Sequence, residues 1–432
     1  MIITNARVVT FDGENRVYDS ASVEVRRDGT IGRVGPDADT EGQSVVNAGG
    51  RLLMPALINC HTHLYSTLAR GMTLPGEAPK DFLEILSKLW WRLDCALNED
   101  DVYISALVGL IDAAKCGVGT VVDHHSSPRA CAGSLDQIEE AFQHVGLRGA
   151  LCYETSDRNG SASACEAIQE NVRFISKTDG DMMGASFGLH ATFTLSDRTL
   201  AQCKEANQSL EAGFHIHIGE DVCDRTAVRR MEKMELLDER TLAAHCLHVS
   251  TSDMAVLERR DVNVVHNPQS NCNNAVGIAR LIELMESGTL VGLGSDGYSP
   301  RMWDEFKTAF HLQRLRRRDP RVGYREAYAA AFLNNREIVR KVYGFDIGRI
   351  ATGAKADFIL VDYYPPTPMN AGNLFGHLLF GVSNAPVDSL VVNGRFIVKE
   401  KRCVTVDEPM IAEKTARQAQ SLWTRFEKIC KP

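Results

Sequence analysis

The stretch INCHTHL, Ile58–Leu64, joins a strand-like apolar run to two histidines that are one residue apart. Side chains two positions apart on a strand point to the same face, so His61 and His63 are expected to face the same way. Neutral imidazoles at this spacing can share one divalent ion. The same pattern is also typical of two core histidines bonded to backbone carbonyls. The choice therefore depends on whether further ligands exist elsewhere in the chain.

The middle of the chain, residues 55–345, alternates strand-like runs with amphipathic segments, which predicts a parallel sheet. Eight runs qualify as strands, and eight is the number that closes a (β/α)8 barrel. They are LLMPALINCHTHL, GVGTVVDHH, LRGALCYETS, GASFGLHA, GFHIHIGE, TLAAHCLHV, DVNVVHN and TLVGLGSDG. The predicted fold class is therefore α/β, with a (β/α)8 TIM barrel as its main domain.

Both ends of the chain are rich in short strands. Residues 1–54 and 346–410 have the pattern of hairpins, and each is too short to close a core alone. We expect them to pair into one small composite β-sandwich. The last residues, 411–432, have apolar positions at helical spacing and predict a C-terminal helix.

A histidine or a carboxylate stands at the end of every predicted barrel strand. In a parallel barrel these strand ends face one rim, where active sites are built. In chain order the residues are His61, His63, Asp123, His124, Glu154, His190, His217, Glu220, His245, His266 and Asp296. The rim is therefore the predicted place for a metal ion and for chemistry.

Two carboxylates have patterns that suit a metal site. Glu220 lies three residues after His217, so we expect it in the loop beyond the strand, over the barrel mouth. A carboxylate beside a metal ion can pass protons without being a ligand. Asp296 can both bind the ion and accept a proton, although an Asp after a βα turn is also a common helix N-cap.

Other polar residues near the strand ends have structural alternatives. Taken singly, His215, His245 and His266 are each interpreted as hydrogen-bonded core residues. For the run Asp123–His125 the expectation is a supporting or packing role.

Composition and charge exclude several classes of partner. The net charge of -8 argues against bulk attraction to nucleic acid or to an anionic membrane. The 12 cysteines form no C-x-x-C pair and the N-terminus lacks a secretory pattern, so a reducing, cytoplasmic location is expected. The sequence contains no H-E-x-x-H, no P-loop and no P-C-x-x-C, which removes support for zinc-protease, phosphate-cradle and small zinc-deaminase readings.

Together these motifs resemble the amidohydrolase superfamily of metal-dependent (β/α)8 hydrolases. The likeness covers nearly the whole chain and includes MPALINCHTHL, GFHIHIGE, AAHCLHVS, VVHNPQSN, LGSDG and GRIATGAKADFILVD. Within the superfamily the chain is similar to the mononuclear branch of guanine, 8-oxoguanine, cytosine and S-adenosylhomocysteine deaminases, triazine hydrolases and SsnA-like aminohydrolases. LWWRLDCAL, VVDHHSSP, YETSDRNG and HNPQSNCNNAVG carry the last of these likenesses.

The resemblance implies roles for individual residues. It implies one divalent metal ion per chain, with zinc preferred and iron as the alternative. The implied ligands are His61, His63, His217 and Asp296. Glu220 is then the expected proton shuttle, and His245 is expected to polarise the group under attack. His190 and His266 are expected to contact the substrate.

Two positions depart from the family pattern. Pro55-Ala56 replaces the usual Pro-Gly before the first strand, a small change with no expected effect on the chemistry. No lysine ends the fourth strand candidate, GASFGLHA, where dinuclear members often carry a carboxylated one. The missing lysine weakens the hypothesis that the chain binds two metal ions. It still allows a reaction in which hydrolysis opens a ring.

The predicted activity is removal of an amino group, as ammonia, from a nitrogen heterocycle such as a purine, pterin or pyrimidine. Trp90 or Trp91 is a candidate for stacking on a flat ring, and Arg158 for holding an anionic or carbonyl group. Further recognition candidates are the amides Gln269, Asn271, Asn273 and Asn274. The alternatives are hydrolysis of a cyclic amide, hydrolysis of a halogen or thioether substituent, and a non-catalytic binding protein. We expect a homo-oligomer and a small-molecule partner, with no nucleic acid and no membrane.

Overall fold

A computed structural model describes residues 1–36, 40–41, 43–178 and 180–430. Within these residues the chain forms 18 strands. They are β1 (Ile2–Val9), β2 (Val17–Val25), β3 (Ile31–Gly35), β4 (Val45–Asn47), β5 (Leu52–Pro55), β6 (Leu57–Thr62), β7 (Val118–His125), β8 (Arg148–Tyr153), β9 (Met183–Ala185), β10 (Phe187–Ala191), β11 (Phe214–Ile218), β12 (Leu242–His245), β13 (Asn263–His266), β14 (Leu290–Leu293), β15 (Phe358–Val361), β16 (Val387–Val392), β17 (Arg395–Lys399) and β18 (Arg402–Cys403).

The described residues also form 15 α-helices. They are α1 (Phe82–Ile85), α2 (Trp91–Ala96), α3 (Glu99–Lys115), α4 (Ser134–Val145), α5 (Ser161–Lys177), α6 (Asp197–Asn207), α7 (Ala227–Lys233), α8 (Thr251–Arg259), α9 (Pro268–Asn273), α10 (Leu281–Glu286), α11 (Met302–Arg317), α12 (Tyr324–Tyr328), α13 (Asn335–Tyr343), α14 (Leu374–Phe380) and α15 (Glu408–Cys430). Among the residues the structure describes, no helix combines the length and the apolar character needed to cross a membrane.

Strands β6 to β14 form a closed parallel barrel. One sheet has the order β6-β7-β8-β9 and the other the order β10-β11-β12-β13-β14. Parallel bridges from Thr62 to Asp296 and from Thr155 to Leu189 join the two sheets at both seams. Since β9 and β10 follow each other with only Ser186 between them, they count together as one of the eight barrel strands. The predicted (β/α)8 barrel is confirmed.

Burial explains why the barrel strands are apolar runs and not alternating ones. Every residue of β6, β7 and β8 is buried, since one face meets the barrel interior and the other meets the helices. A polar residue on such a strand must find its partners inside the protein. The histidines and carboxylates of the strand ends are therefore placed in a largely enclosed environment.

The two ends of the chain meet in a second, nine-stranded sheet. Its order is β18-β17-β16-β15-β5-β1-β2-β3, with β4 paired to β1. One face encloses a core that includes Val8, Val23 and Phe358, while Met54 and Ile359 belong to the core shared with the barrel. The segments expected to form a composite β-sandwich therefore pair with each other as predicted, and they do so in one continuous sheet.

The first predicted barrel strand is divided between the two sheets. Residues Leu52–Pro55 pair antiparallel with β15 in the terminal sheet, and the barrel strand begins at Leu57. The chain changes sheet at Ala56, whose N–H donates to the carbonyl of Asp357 at 3.1 Å. Because the pairing partner lies 300 residues further along the sequence, the local pattern did not reveal this division.

The C-terminal helix begins at Glu408, slightly before the predicted start at residue 411. The last two residues of the predicted helix, 431 and 432, lie outside the described residues. The indole N–H of Trp423 donates to the carbonyl of Leu68 at 2.8 Å. This bond ties the helix to the segment that leads away from His63 at the barrel rim.

Candidate metal centre

Four histidine and aspartate side chains converge at the carboxyl ends of the barrel strands. His61 and His63 come from the end of β6, His217 from β11, and Asp296 from the loop after β14. His63 Nε2 lies 3.1 Å from His217 Nε2 and 3.0 Å from Asp296 Oδ1. His61 Nε2 lies 3.8 Å from the same carboxylate oxygen. The structure thus brings together all four residues that the sequence predicts as ligands.

The outer hydrogen bonds of His63 and His217 set their tautomers. His63 Nδ1 lies 2.6 Å from the carbonyl oxygen of His124, and His217 Nδ1 lies 2.7 Å from that of His190. A carbonyl oxygen only accepts, so each Nδ1 carries the proton and each neutral ring turns a lone pair on Nε2 inwards. Together with Asp296 Oδ1, three acceptors then face one another. A positively charged ion between these three acceptors is therefore electrostatically favoured.

The pKa values of His63 and Asp296 also indicate that the cluster stabilises positive charge. Burial lowers the pKa of His63, but the hydrogen bond from His63 to Asp296 and the charge of that carboxylate raise it to about 9. Burial raises the pKa of Asp296, but His63, His245 and His217 hold it well below its ordinary range. Positive charge is therefore stabilised between His63 and Asp296.

The donor atoms have the chemistry and spacing of a zinc-type site. His61, His217, His245 and Asp296 place one ligand atom each within 4.8 Å of one another. The Nε2 atoms of His61 and His245 are buried and have no hydrogen-bond partner among the described residues. Imidazole nitrogen and carboxylate oxygen are ligands that zinc accepts. The residues therefore fit a divalent ion. This group holds three of the four predicted ligands and adds His245, while His63 contacts the same cluster through His217 and Asp296.

Two further groups of possible ligands overlap with this cluster at His217. They are His63, His124 and His217, and Glu154, His190 and His217. In the second group Glu154 is also held by Arg158, whose positive charge lies against the carboxylate. That charge disfavours a cation in the second group, and the first of the two groups contains no carboxylate, so the cluster that includes Asp296 is the better site.

Two of these positions have a strained backbone conformation. Asp296 has a φ of 55° and His245 a φ of 73°, both in the left-handed region that residues other than glycine rarely adopt. Asp296 is further held by the Gly297 N–H, which donates to Oδ1 at 2.8 Å, and by the Ser270 hydroxyl, which donates to Oδ2. The N-cap reading of Asp296 is wrong, because Arg301 occupies the N-cap position of α11.

Glu220 and His245 stand beside Asp296 at the barrel mouth. His245 Nε2 lies 3.5 Å from Glu220 Oε2 and 3.7 Å from Asp296 Oδ2. Burial raises the pKa of Glu220 to about 7, against the opposing pull of His245. A carboxyl group with a pKa near neutrality can both give and take a proton at working pH.

The short helix α9 holds these two groups in place. Asn271 Oδ1 accepts the hydrogen bond of His245 Nδ1 at 2.8 Å, and Asn274 donates to Glu220 Oε1 at 3.2 Å. The sequence offered both amides as candidates for substrate recognition, with a structural role as the alternative, and Asn274 also lines the cavity at the rim. Their partners follow from the start of α9 at Pro268, directly after β13, which turns these side chains towards the rim.

A cavity opens against the metal cluster, and several aromatic side chains line it. The Phe, Tyr and Trp residues of its wall are Tyr65, Phe82, Trp90, Trp91, Phe193 and Tyr298. Trp90 ends a π-helical segment, Leu86–Trp90, a feature that is frequent at functional sites. His190 and Arg158 also line the cavity. His266 does not; it is buried and accepts a hydrogen bond from Asn271 at 3.3 Å.

Arg158 is held by two buried carboxylates. Its Nη1 lies 3.2 Å from Asp94 Oδ2, and its Nη2 donates to Glu154 Oε1 at 2.7 Å. The guanidinium stacks over Trp91, with 5.2 Å between its carbon and the ring centroid. Arg158 was predicted to hold an anionic or carbonyl group of the substrate, and such a group meets a cation that is already paired. Asp94 was not singled out from the sequence, because nothing in the helical stretch that became α2 marks it.

The run Asp123–His125 supports the rim from below. Asp123 Oδ1 accepts the N–H of Leu64 at 2.6 Å and so holds the start of the segment that follows His63. His124 Nδ1 lies 3.3 Å from Glu154 Oε2, and His125 Nε2 bonds to Ser127 at 2.8 Å. These contacts agree with the supporting role expected from the sequence.

A parallel (β/α)8 barrel with a cluster of histidines and a carboxylate at its rim is an arrangement typical of metal-dependent hydrolases. The model of the amidohydrolase family matches residues 52–397. The chain belongs to this family.

The chain is similar over nearly its whole length to proteins named as deaminases. It is 31% identical to a 5-methylthioadenosine/S-adenosylhomocysteine deaminase of Desulforudis audaxviator, with 97% of this chain and 98% of that protein covered. It is 29% identical to a 5'-deoxyadenosine deaminase of Methanosarcina mazei, with 98% and 99% covered. The crystal structure of an adenosine deaminase from Xanthomonas campestris with bound zinc has a TM-score of 0.85 at 20% identity, with 98% of both chains covered. At this identity the last likeness shows the fold.

Proposed function

We propose that the protein is a metal-dependent hydrolase that removes an amino group, as ammonia, from a nucleoside-like nitrogen heterocycle. The observation that carries the proposal is the group of inward-facing acceptors at His63, His217 and Asp296, with Glu220 and His245 directly beside it. The names of the related deaminases support the same reaction and a purine-type substrate.

The proposed ligands of the ion are His61, His63, His217 and Asp296, with one ion per chain and zinc as the preferred metal. The convergence of their lone pairs and the unpartnered Nε2 of His61 support this set. When bound, such an ion supplies a nucleophile from water at neutral pH by lowering the pKa of that water.

The proton transfers fall to two carboxylates. Asp296 Oδ2 points towards His245. Asp296 accepts the proton that water loses when the water oxygen adds to the ring carbon that bears the amino group. Glu220 gives a proton to the neighbouring ring nitrogen, which its pKa of about 7 allows. Asp296 then returns its proton to the amino group, the carbon–nitrogen bond breaks and ammonia leaves, while the hydroxyl proton passes to the ionised Glu220 and a ring carbonyl remains. His245, which lies beside both carboxylates, is proposed to polarise the group under attack.

The substrate ring lies against the aromatic wall in this proposal. Trp90 offers a flat face for stacking, and His190 offers its Nε2 to a ring heteroatom. His190 Nδ1 is 2.7 Å from the hydroxyl oxygen of Thr194, which fixes the ring orientation. Arg158 contributes its remaining N–H groups to a neutral carbonyl or hydroxyl, since its charge is balanced by Asp94 and Glu154.

Ammonia release from a panel of substrates tests the proposal. The zinc-loaded protein is mixed with 5'-substituted adenosines, adenosine, adenine, guanine, cytosine and pterins, and ammonia is measured together with the product. The proposal expects ammonia and a ring carbonyl from at least one aminopurine. Ring opening that yields a new carboxylate and no ammonia would support the cyclic-amide alternative instead. The Asp296→Asn variant is the control for contaminating activity.

A homo-oligomer and a reducing, cytoplasmic location remain predictions from the sequence. Light scattering coupled to size-exclusion chromatography of the zinc-loaded protein tests the first. An apparent mass close to the 47.7 kDa of one chain would contradict it.

A further inference from the structure

The three candidate histidine ligands differ in what holds the far side of each ring. His63 and His217 use backbone carbonyls, which accept only and therefore force the proton onto Nδ1. His61 Nδ1 instead lies 2.8 Å from His215 Nε2. An imidazole nitrogen can accept or donate, so this contact alone does not decide which of the two rings carries the shared proton.

A chain of buried groups behind His215 decides it. His215 Nδ1 lies 3.6 Å from Cys152 Sγ, and Cys152 Sγ lies 3.7 Å from the carbonyl oxygen of Asp123. The carbonyl only accepts, so the thiol donates to it and presents its sulfur as an acceptor to His215. His215 then carries its proton on Nδ1 and accepts on Nε2. His61 must therefore donate from Nδ1, which leaves its Nε2 bare.

The environment keeps this chain in one state. The side chains of His61, His215 and Cys152 are all fully buried, so water does not offer an alternative partner. Burial raises the pKa of Cys152 well above its ordinary value, which keeps the thiol protonated. His61 Nε2 faces the ligand cluster with no hydrogen-bond partner of its own.

We propose that His215 and Cys152 form a positioning chain that holds His61 as the Nδ1–H tautomer and so presents its Nε2 to the metal ion. The proposal rests on the metal site described above and adds a reason for two buried residues that take no part in the reaction. Second partners of metal-bound histidines commonly fix the tautomer and ring orientation. Here a histidine and a thiol serve where the other two ligands use the backbone.

The two links of the chain can be broken separately and each has a conservative partner variant. His215→Phe keeps a ring of similar size and removes the acceptor, whereas His215→Gln keeps an amide oxygen that can accept from His61. Cys152→Ala removes the acceptor for His215, whereas Cys152→Ser keeps a hydroxyl that both accepts and donates. Cys203→Ala is the matched control, since Cys203 is an equally buried thiol on α6, outside the barrel.

The first measurement is the tautomer of His61 in metal-free protein labelled with ¹⁵N at histidine, with the signal assigned from a His61→Asn variant. The proposal expects the Nδ1–H form in the unmodified protein, in Cys152→Ser and in Cys203→Ala. In Cys152→Ala it expects a shift towards the Nε2–H form, since His215 then has no acceptor on its far side. An unmodified protein with His61 mainly as Nε2–H overturns the proposal, and so does a Cys152→Ala spectrum unchanged from it.

The second measurement is zinc affinity, from competition with a coloured chelator. Loss of such a partner typically weakens metal binding roughly 10- to 100-fold, and this is expected for His215→Phe. His215→Gln should stay within about threefold of the unmodified protein, because the acceptor is restored. Equal zinc affinity for His215→Phe and the unmodified protein contradicts the proposal. If His215→Phe does not fold, the Cys152→Ala and Cys152→Ser pair decides the outcome.

These readouts separate this proposal from the proposed function. If the unmodified protein binds no zinc, the metal site itself is wrong, whatever the tautomer of His61. If zinc binds and the variants behave as expected while no substrate releases ammonia, the positioning chain stands and the proposed reaction is wrong.

Discussion

The ligand rim and the recognition wall of the same cavity are built in different ways. The rim takes His61, His63 and His217 directly from the ends of β6 and β11, so the barrel itself fixes their spacing. The wall takes Trp90 and Arg158 from a π-helical segment and a loop, which lie outside the sheet. A site whose chemistry is anchored in strands can keep its reaction while the loops that choose the substrate vary.

The largest effect is expected at the rim, from Asp296→Asn. The variant keeps the size of the side chain but loses the charge that binds the ion and takes the proton. Turnover of an aminopurine should fall roughly 1,000-fold or more, while the metal-free protein stays folded and unfolds cooperatively. Steady-state ammonia release and thermal unfolding measure the two. A variant that retains most of the turnover would remove Asp296 from the proposed chemistry.

Glu220→Gln comes next, because Glu220 is proposed to move a proton without binding the ion. The expected loss in kcat is roughly 100-fold or more, with zinc affinity close to that of the unmodified protein. Measuring kcat and zinc affinity on the same preparation separates a shuttle from a ligand. Loss of zinc together with activity would reassign Glu220 to the ligand set.

In the wall, the main expected effect of Arg158→Met is a loss of folding stability and not a loss of substrate binding. Arg158 is the shared partner of Asp94 and Glu154, whose side chains are only 1% and 3% exposed. Removing one partner of a buried ion pair costs about 3 kcal/mol or more, because the remaining charges are left unpaired. Denaturant unfolding of Arg158→Met and of the double variant Arg158→Met with Asp94→Asn measures this. The double variant should recover part of the lost free energy of unfolding. If it is the less stable of the two variants, Arg158 does not balance the charge of Asp94 as described.

Trp90→Leu should change substrate binding and leave the metal centre intact. A lost stacking contact of about 1 kcal/mol corresponds to a roughly fivefold rise in KM, with kcat and zinc affinity nearly unchanged. Trp423→Leu is the comparison variant, since that indole lies on α15 and bonds to Leu68 outside the cavity. Equal KM for Trp90→Leu and the unmodified protein would remove Trp90 from the wall.

A further effect concerns pH and the stability of metal-free protein. The pKa of Glu220 is raised from its ordinary 4.5 to about 7, chiefly by burial, so the fold disfavours the ionised form. Its contribution to stability is fully present below pH 4.5 and is lost as the pH rises through about 7. Glu220→Gln lacks this loss, so its thermal midpoint should rise relative to the unmodified protein between about pH 5 and pH 8. A difference that is constant with pH would contradict the raised pKa.

The same contrast explains what the sequence could predict. A strand has a period of two and a parallel barrel sends all its strand ends to one rim, so His61, His63, His217 and Asp296 could be placed together from the pattern alone. The pairing of β5 with β15 depends on segments far apart in the chain, and the division of the first strand at Ala56 was therefore missed.

Side chains that act through hydrogen bonds were harder to predict than ligands. Asn271 and Asn274 were candidates for substrate recognition with a structural role as the alternative; the structure bonds them to His245 and Glu220, and Asn274 also lines the cavity. Asp94 was not singled out, since an acidic residue in a helical stretch is ordinary until its buried partner is known. Such roles depend on which loop folds over which strand end, and no local spacing encodes that.

The most direct test of the account is the position of the metal in a crystal of the zinc-loaded protein, located by anomalous scattering at the zinc absorption edge. The account predicts one strong peak per chain, about 2.0 to 2.1 Å from Nε2 of three histidines and in contact with a carboxylate oxygen. The predicted contacts are His61, His63, His217 and Asp296. A peak bound instead by His124, Glu154 and His190, or the absence of any peak at the rim, would contradict the account.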